Sequence, residues 1–293
     1  MNPPRRVLVT GAGGFTGAHL VRSLAAKGFA VTALHRSPLD PASDLVRLDG
    51  VTPLRAALAE LERLPEGCEA VVHAAASPAW PGFSDDVIVR DNVIATRHLL
   101  DLAERAGCRA FVFLSSMSVY GQITVPVVDE ATPMTNPDVY GASKFIGERL
   151  LAERRDRLPG LALRLPGVVG GGAQRNWLAS TAGRLRRGEP ATLFNPDAGF
   201  NNALHVADLA ALVCRALGQE WQGFDALVLG ARGQLPVHQV VERLAAGMGL
   251  TARLAAQPSP KPAFLLSSDR AIRDWGYDPM EIGALIDRYA GEA

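Results

Sequence analysis

The stretch from Gly11 to Gly17 limits what this chain can fold into more than any other. Arg6 to Val9 reads as a short buried strand, and Phe15 to Ala26 as an amphipathic helix carrying Leu20, Val21 and Leu24 on one face. Between them, Gly11, Gly14 and Gly17 let the backbone turn sharply, approach a pyrophosphate and pack the helix onto the strand. Phe15, Thr16 and Gly17 open the helix, whose free N–H groups attract an anion. A glycine turn also caps ordinary strand–helix units, so its meaning depends on the downstream chain.

Downstream, short apolar strands alternate with helices. The second strand, Ala30 to Leu34, ends at His35-Arg36, where a dinucleotide's adenosine ribose is met. An acidic side chain there would accept from both ribose hydroxyls. With Arg36 present and no Asp or Glu, the choice lies between a 2′-phosphate ligand, which argues for NADP over NAD, and an exposed loop arginine. Val46 to Asp49 reads as a third strand with Asp49 and Gly50 at its carboxyl end, Asp49 being either an adenine contact or a surface-loop acid, and Pro53 to Leu64 as a helix with Leu54, Leu58, Leu61 and Leu64 on one side. The fourth strand, Ala70 to Ala76, runs into Ala74, Ala75 and Ala76, small enough for close approach to a ligand or for tight helix packing; Ser77 comes directly after them. His73, inside that strand, reads as a satisfied core histidine.

Asp85 to Ala106 reads as one long helix, with Asn92 among its polar positions and Gly107 closing it. The fifth strand, Ala110 to Leu114, is continuously apolar, as a doubly covered parallel strand should be, and delivers Ser115, Ser116, Met117 and Ser118 at its carboxyl end, where open α/β sheets keep their chemistry. A turn-rich rim leads to Tyr140-Gly141-Ala142-Ser143-Lys144 on a helix reaching about Asp156. Residues at i and i+4 share a face, so the Tyr140 phenol and the Lys144 ammonium can point into one pocket, although the spacing alone is common on helices and mostly structural. A phenol with an ordinary pKa of about 10 transfers protons poorly at neutral pH, and a neighbouring ammonium should lower it. Ser116 supplies a second hydroxyl for the substrate oxygen.

Composition closes other routes. Thirty basic and thirty acidic residues cancel, leaving no electrostatic footprint for nucleic acid or an anionic membrane. Cys68, Cys108 and Cys214 sit singly, with no pattern for a disulfide or a metal site. No apolar run reaches ~20 residues, and a strand comes directly after Met-Asn-Pro-Pro, so the expectation is a cytoplasmic protein without signal peptide.

Together, Thr10-Gly11 to Gly17, Val72-His73-Ala74-Ala75, Leu114 to Gly121, Tyr140 to Lys144 and Leu204-His205-Val206-Ala207-Asp208-Leu209 resemble the extended short-chain dehydrogenase/reductase family, in its nucleotide-sugar epimerase/dehydratase branch. The resemblance implies a Rossmann-type α/β fold with a doubly wound parallel sheet and a smaller C-terminal substrate lobe. Residues 1–169 would bind the cofactor, with 203–230 returning to that domain, and 170–202 and 231–293 would form the lobe. It also implies a catalytic triad of Ser116, Tyr140 and Lys144, a nicotinamide cofactor meeting Pro166, Val168 and Val169, and a homodimer through the two long helices. Asn176, Trp177, Asn195, Asn201 and Asn202 read either as groups for a polyhydroxylated substrate or as caps and turns.

Two departures bear on the substrate. Met117 stands where the branch's dehydratases carry an acid, which disfavours water elimination. Asn201-Asn202-Ala203 replaces a segment whose arginine holds pyrophosphate, with Arg175 and Arg184 as candidate substitutes. The expected activity is an NADP-dependent 4-ketoreductase or 4-epimerase acting on a sugar or nucleotide sugar. The alternatives are a reductase of a non-sugar ketone or aldehyde and a catalytically silent NADP sensor.

Overall fold

The apolar run after Arg6 becomes an interior strand of a seven-stranded sheet in the computed structural model of the chain, which describes residues 5–39, 44–78, 82–259 and 261–293. Trp80, expected to be a packing residue, lies outside the described residues. The strands are β1 (Arg6–Thr10), β2 (Ala30–His35), β3 (Val51–Arg55), β4 (Ala70–His73), β5 (Ala110–Ser116), β6 (Gly160–Leu165) and β7 (Phe224–Val228). Their order across the sheet is β7-β6-β5-β4-β1-β2-β3. β1 lies parallel between β2 and β4, with Thr10 opposite Leu34 on one side and His73 on the other. Chain order reverses between β1 and β4, which opens a crevice beyond the carboxyl ends of those two strands.

Two compact units make up the chain. The first, Met1–Gly121 with Met134–Arg164 and Ala210–Leu227, holds the sheet and the helices α1 (Phe15–Ala26), α2 (Asp85–Ile88), α3 (Ala95–Arg105) and α4 (Val139–Ala152). Leu20, Val21 and Leu24 of α1 are fully buried, as the amphipathic pattern requires. A second apolar layer joins Leu99, Leu100 and Leu102 of α3 to Phe111 and Phe113 of β5 and Leu151 of α4. The helix expected from Asp85 to Ala106 is interrupted by a π-helical stretch, Val89–Ile94, which turns Asn92 into the interior. Such a bulge inserts a residue into the α ladder and is frequent at functional sites.

The third strand departs from the sequence reading. Asp44–Val46 is a single 3₁₀ turn, β3 begins at Val51, and Pro53 lies inside the strand instead of opening a helix. Proline is tolerated there because β3 is the sheet's edge, where a missing N–H breaks no ladder bond. Leu61 and Leu64 are buried as expected, but by a 3₁₀ turn at Leu58–Glu60 and irregular chain, so their spacing imitated a helical stripe.

The second unit comprises Gln122–Pro133, Leu165–Leu209 and Val228–Ala293, so that 122–133, 165–169 and 203–209 group with the segments read as the substrate lobe. Among the described residues four two-stranded pairings organise it, including Gly167–Val169 parallel to Ala203–His205 and Ala191–Phe194 parallel to Leu254–Gln257. Its helices are α5 (Trp177–Arg186), α7 (Val237–Gly247), α8 (Asp269–Trp275) and α9 (Ile282–Glu292); α6 (Val206–Leu217) divides its residues between the units. The core of this unit joins Leu178 and Leu185, Val240 and Leu244, and Leu285, Ile286 and Tyr289. Among the described residues no helix is long and apolar enough to cross a membrane, and no cluster of His, Cys, Asp or Glu could hold a metal ion.

Candidate active site

At the crevice, the glycine turn is shaped by contacts that admit no side chain. Gly11 has φ +69°, and a Cβ there would meet the Ala75 nitrogen at 2.7 Å; one on Gly17 would meet the Gly11 oxygen at 2.1 Å. Ala75 donates its N–H to Thr10 Oγ1 (3.2 Å), which draws the loop after β4 against the turn. The small residues Ala74 and Ala75 are thus half-buried partners of Gly11, with Ala76 exposed beyond them. Gly14 caps α1 without any side-chain hydrogen bond, and no acidic residue occupies the first turn. A bare helix N-terminus of this kind is a ready anion site, so these residues fit the pyrophosphate of a dinucleotide. His73 bridges Thr10 Oγ1 (2.7 Å) and Thr96 Oγ1 (2.9 Å) beneath the crevice, and burial pushes its pKa down to about 3. It is a neutral structural residue.

Two expected cofactor contacts are misplaced. Asp49 and Gly50 precede β3 and lie at its amino end, where the Gly50 carbonyl accepts from Val31 at the start of β2. The ligand edge of a parallel sheet is the carboxyl edge, so these residues are on the wrong side for adenine. Arg55 and Ala56 occupy that edge, Ala56 donating to the His35 carbonyl (3.2 Å). The error stems directly from the shifted strand. His35 is buried, its Nδ1 2.9 Å from the Ser37 carbonyl. Arg36 stands at the end of β2 with its side chain 62% exposed, and its Nη1 donates to Asp91 (3.0 Å).

Asn92 and Ser77 bind each other. The Ser77 N–H donates to Asn92 Oδ1 (2.7 Å), while Asn92 Nδ2 donates to the Ser77 carbonyl (2.9 Å) and to Ser143 Oγ (3.1 Å). The Ser77 hydroxyl donates to Asp91 (2.7 Å). Both side chains, Asn92 expected against the cofactor and Ser77 against the substrate, are struts that join the loop after β4 to the π-helical stretch and to α4.

The reactive group is built where β5 ends. Ser116 caps the 3₁₀ turn Met117–Tyr120, accepting from the Ser118 N–H (3.1 Å) and donating to Ser118 Oγ (3.1 Å). Asp138 caps α4 through the Gly141 N–H (2.7 Å) and sets Tyr140 in the helix's first turn. Gly141 allows the approach, since a Cβ there would lie 2.1 Å from the Ser118 carbonyl oxygen. Tyr140 is thereby set beside the Ser116 side chain. One turn on, Lys144 is buried, its ammonium donating to the Leu114 carbonyl (2.8 Å) and lying 4.9 Å from the centre of the Phe113 ring and 5.9 Å from that of Tyr140. Ser116, Tyr140 and Lys144 therefore share one site.

The expected tuning of the phenol runs the other way in the chain alone. Burial, reinforced by the Asp138 carboxylate and opposed by the Ser116 hydroxyl, pushes Tyr140 up to about 12. Burial also brings Lys144 down to about 8, with Glu148 working against it. The phenol is thus held protonated as a donor, with a lysine near its midpoint beside it.

In the second unit most of the asparagines read as substrate groups have structural partners. Asn176 caps α5 by accepting from the Ala179 N–H and donates to the Val168 carbonyl (both 2.9 Å). Asn201 is buried, exchanging bonds with Leu266 (2.8 Å each way). Asn195 turns the chain at φ +50° and donates to the Lys261 carbonyl, and Trp177 packs on Phe200 at 5.2 Å between ring centres. Asn202 differs: its Oδ1 is buried without a hydrogen-bond partner. Arg184 binds the Pro190 carbonyl, and Arg175 sits in a left-handed turn at φ +64°. Pro166, Val168 and Val169 come after β6, with Val168 and Val169 in the strand paired to Leu204 and His205. Reading from sequence missed Gly141, Glu148 and Arg164; the signal for Arg164 was a charge inside the otherwise apolar strand β6, which implies a buried partner.

A glycine turn at a switch point and a Ser-Tyr-Lys site on the same carboxyl edge of the sheet, at the end of β5, define an NAD(P)-dependent oxidoreductase or epimerase of the extended short-chain dehydrogenase/reductase type. The chain belongs to the NAD dependent epimerase/dehydratase family, whose profile matches residues 7–230. It is 30% identical over 297 residues to a UDP-glucose 4-epimerase of Erwinia amylovora, covering 87% of this chain and 86% of that protein. Among solved structures, MoeE5 in complex with UDP-glucuronic acid and NAD superposes with a TM-score of 0.81 at 27% identity, covering 97% of this chain and 96% of that one. The UDP-glucuronic acid 4-epimerase of Bacillus cereus, in complex with NAD, gives 0.84 at 21% identity over 98% of each chain and shares the fold.

Proposed function

We propose that the chain interconverts an alcohol and a ketone at C4 of a nucleotide sugar, as a 4-epimerase or a 4-ketoreductase. The observation that carries this reading is the grouping of Ser116, Tyr140 and buried Lys144 at the carboxyl end of β5, on the same sheet edge as the glycine turn. A bound nicotinamide supplies the hydride acceptor and donor. Tyr140 gives its proton to the substrate oxygen in reduction and takes it back in oxidation, Ser116 hydrogen-bonds that oxygen as charge develops, and Lys144 holds a ribose hydroxyl and steadies the phenolate. Met117 offers no acid for water elimination, so a dehydratase role is disfavoured. Asn202, with its unpartnered Oδ1, is the asparagine proposed to meet substrate.

The cofactor reading is NADP, supported by an exposed guanidinium and the absence of an acid at the end of β2, although MoeE5 and the Bacillus cereus epimerase are complexed with NAD. Exposed Val89, Ile94, Val139 and Ile146 on the two long helical segments support a homodimer, and three free thiols support a cytoplasmic setting. A reductase of a non-sugar carbonyl is favoured by one observation: Asn201, in the segment Gly199 to Ala203 that carries no arginine for a pyrophosphate, is engaged within its own unit.

The test is Tyr140→Phe, assayed with UDP- and dTDP-sugars. Turnover should fall by ~10²-fold or more while cofactor affinity stays nearly intact. Undiminished turnover removes Tyr140 from the mechanism, and the absence of any thermal shift of the unaltered chain with nucleoside diphosphates favours the non-sugar reading.

A further inference from the structure

Behind the Ser116–Tyr140–Lys144 group lies a second polar cluster that the reaction itself does not use. Glu148 is one turn beyond Lys144 on α4 and is buried, as is Arg164 on β6. Arg164 Nη2 donates to Glu148 Oε2 (2.8 Å) and its Nε to Oε1 (3.0 Å), while Nη1 donates to the Tyr120 hydroxyl (2.8 Å). The Ser115 hydroxyl donates to Glu148 Oε1 (2.6 Å).

These contacts bracket the catalytic segment. Ser115 immediately precedes Ser116, and Tyr120 ends the 3₁₀ turn that Ser116 caps, so the pair grips that segment at both ends. Lys144 and Glu148, at i and i+4 on α4, bind consecutive residues of β5, namely the Leu114 carbonyl and the Ser115 hydroxyl. Helix and strand are thereby locked in one register where Tyr140 meets Ser116. A buried ion pair is a poor source of stability compared with apolar packing, and retaining one is more readily explained by specificity of arrangement.

We propose that Glu148, clamped by Arg164, is the positioning residue of this site: it fixes the segment carrying Ser116 against α4 and supplies the negative charge one turn behind Lys144. The inference rests on the proposed proton-transfer role of Tyr140 and Lys144 and assigns its support. Around Lys144 the charged or titratable groups are Tyr140 and Glu148 on its own helix and His73 on β4; Asp138 faces Tyr140. Of these, Glu148 favours the charged lysine, whereas burial opposes it.

The experiment uses the fact that the chain has three lysines, Lys27, Lys144 and Lys261, so that the ε-carbon resonances of ¹³C-lysine-labelled protein can be titrated individually. In Glu148→Gln the Lys144 midpoint should fall by about one pH unit while the other two stay fixed. This readout needs no substrate, so it stands even if no nucleotide sugar is turned over and the functional reading fails. In Ser115→Ala and Tyr120→Phe, which keep the ion pair, kcat on whichever sugar the unaltered chain converts should fall about tenfold or more, as displacement of a reacting group predicts, with the cofactor dissociation constant unchanged. An unmoved Lys144 midpoint in Glu148→Gln overturns the proposal. So does full kcat in both hydroxyl variants, including the case where only their melting temperatures drop. Should Glu148→Gln fail to fold, the hydroxyl variants decide alone.

Discussion

Gly141→Ala is the most direct perturbation of the site, because it adds one methyl group at the point where α4 passes the Ser116 turn. The new Cβ would lie 2.1 Å from the Ser118 carbonyl oxygen, 2.7 Å from its carbonyl carbon and 3.0 Å from the Pro137 Cβ, where ordinary contact begins at 3.4 Å. The Ser118 carbonyl is backbone and cannot rotate away, so helix and turn must part by roughly 1.3 Å, the shortfall against ordinary contact. Tyr140 faces Ser116 across the same gap, and hydrogen bonds from both hydroxyls to one substrate oxygen do not survive a displacement of that size. Misplacement of a reacting group on this scale costs ~10²-fold in rate, or about 2.7 kcal/mol of barrier. The overpacking itself should cost about 1–3 kcal/mol of stability. The assay compares turnover per folded molecule, with folding checked by circular dichroism and cofactor affinity by fluorescence. The cofactor dissociation constant should hold within about threefold, because Gly11 to Gly17 are untouched. A folded Gly141→Ala chain with turnover within threefold of the unaltered one would refute the claim that this contact sets the proton-transfer distance.

The same geometry carries other expectations. Arg36→Asp should reverse the preference between NADP and NAD in direct binding titrations, and an unchanged ratio would dismiss Arg36 as a phosphate ligand. Asn176→Ala removes a helix cap and should lower stability by about 1 kcal/mol in urea unfolding without raising the substrate KM, whereas Asn202→Ala should raise KM with little change in stability. His73 has a folded pKa of about 3 against an ordinary 6.5, so the unfolded chain binds the proton first. Its contribution to stability is whole above 6.5 and is lost as pH falls toward 3, by about 3 kcal/mol at pH 4. The acid limb of a urea-midpoint profile should therefore be flatter in His73→Gln, and an identical slope would show that the ring is protonated in the folded state.

The local pattern was strong wherever one residue type had one physical use. The glycines at 11, 14 and 17, the buried stripe of α1, the apolar β5 and the i,i+4 pair Tyr140 and Lys144 were all legible in the sequence, because backbone sterics and helix periodicity act over a few residues. The third strand was not, because Pro53 and a leucine spacing of three and four are also compatible with an edge strand leading into a 3₁₀ turn; the placement of Asp49 failed with it. Asparagines gave the least away. An amide that caps a helix, closes a turn or binds substrate has the same composition, and only the partners found in the folded chain separate Asn176 and Asn201 from Asn202. That Glu148 is the partner of Arg164, and the directions in which Tyr140 and Lys144 are shifted, were decided by tertiary structure. Desolvation depends on everything packed around a group, including residues many positions away, whereas a sequence fixes directly only what neighbouring residues do to one another.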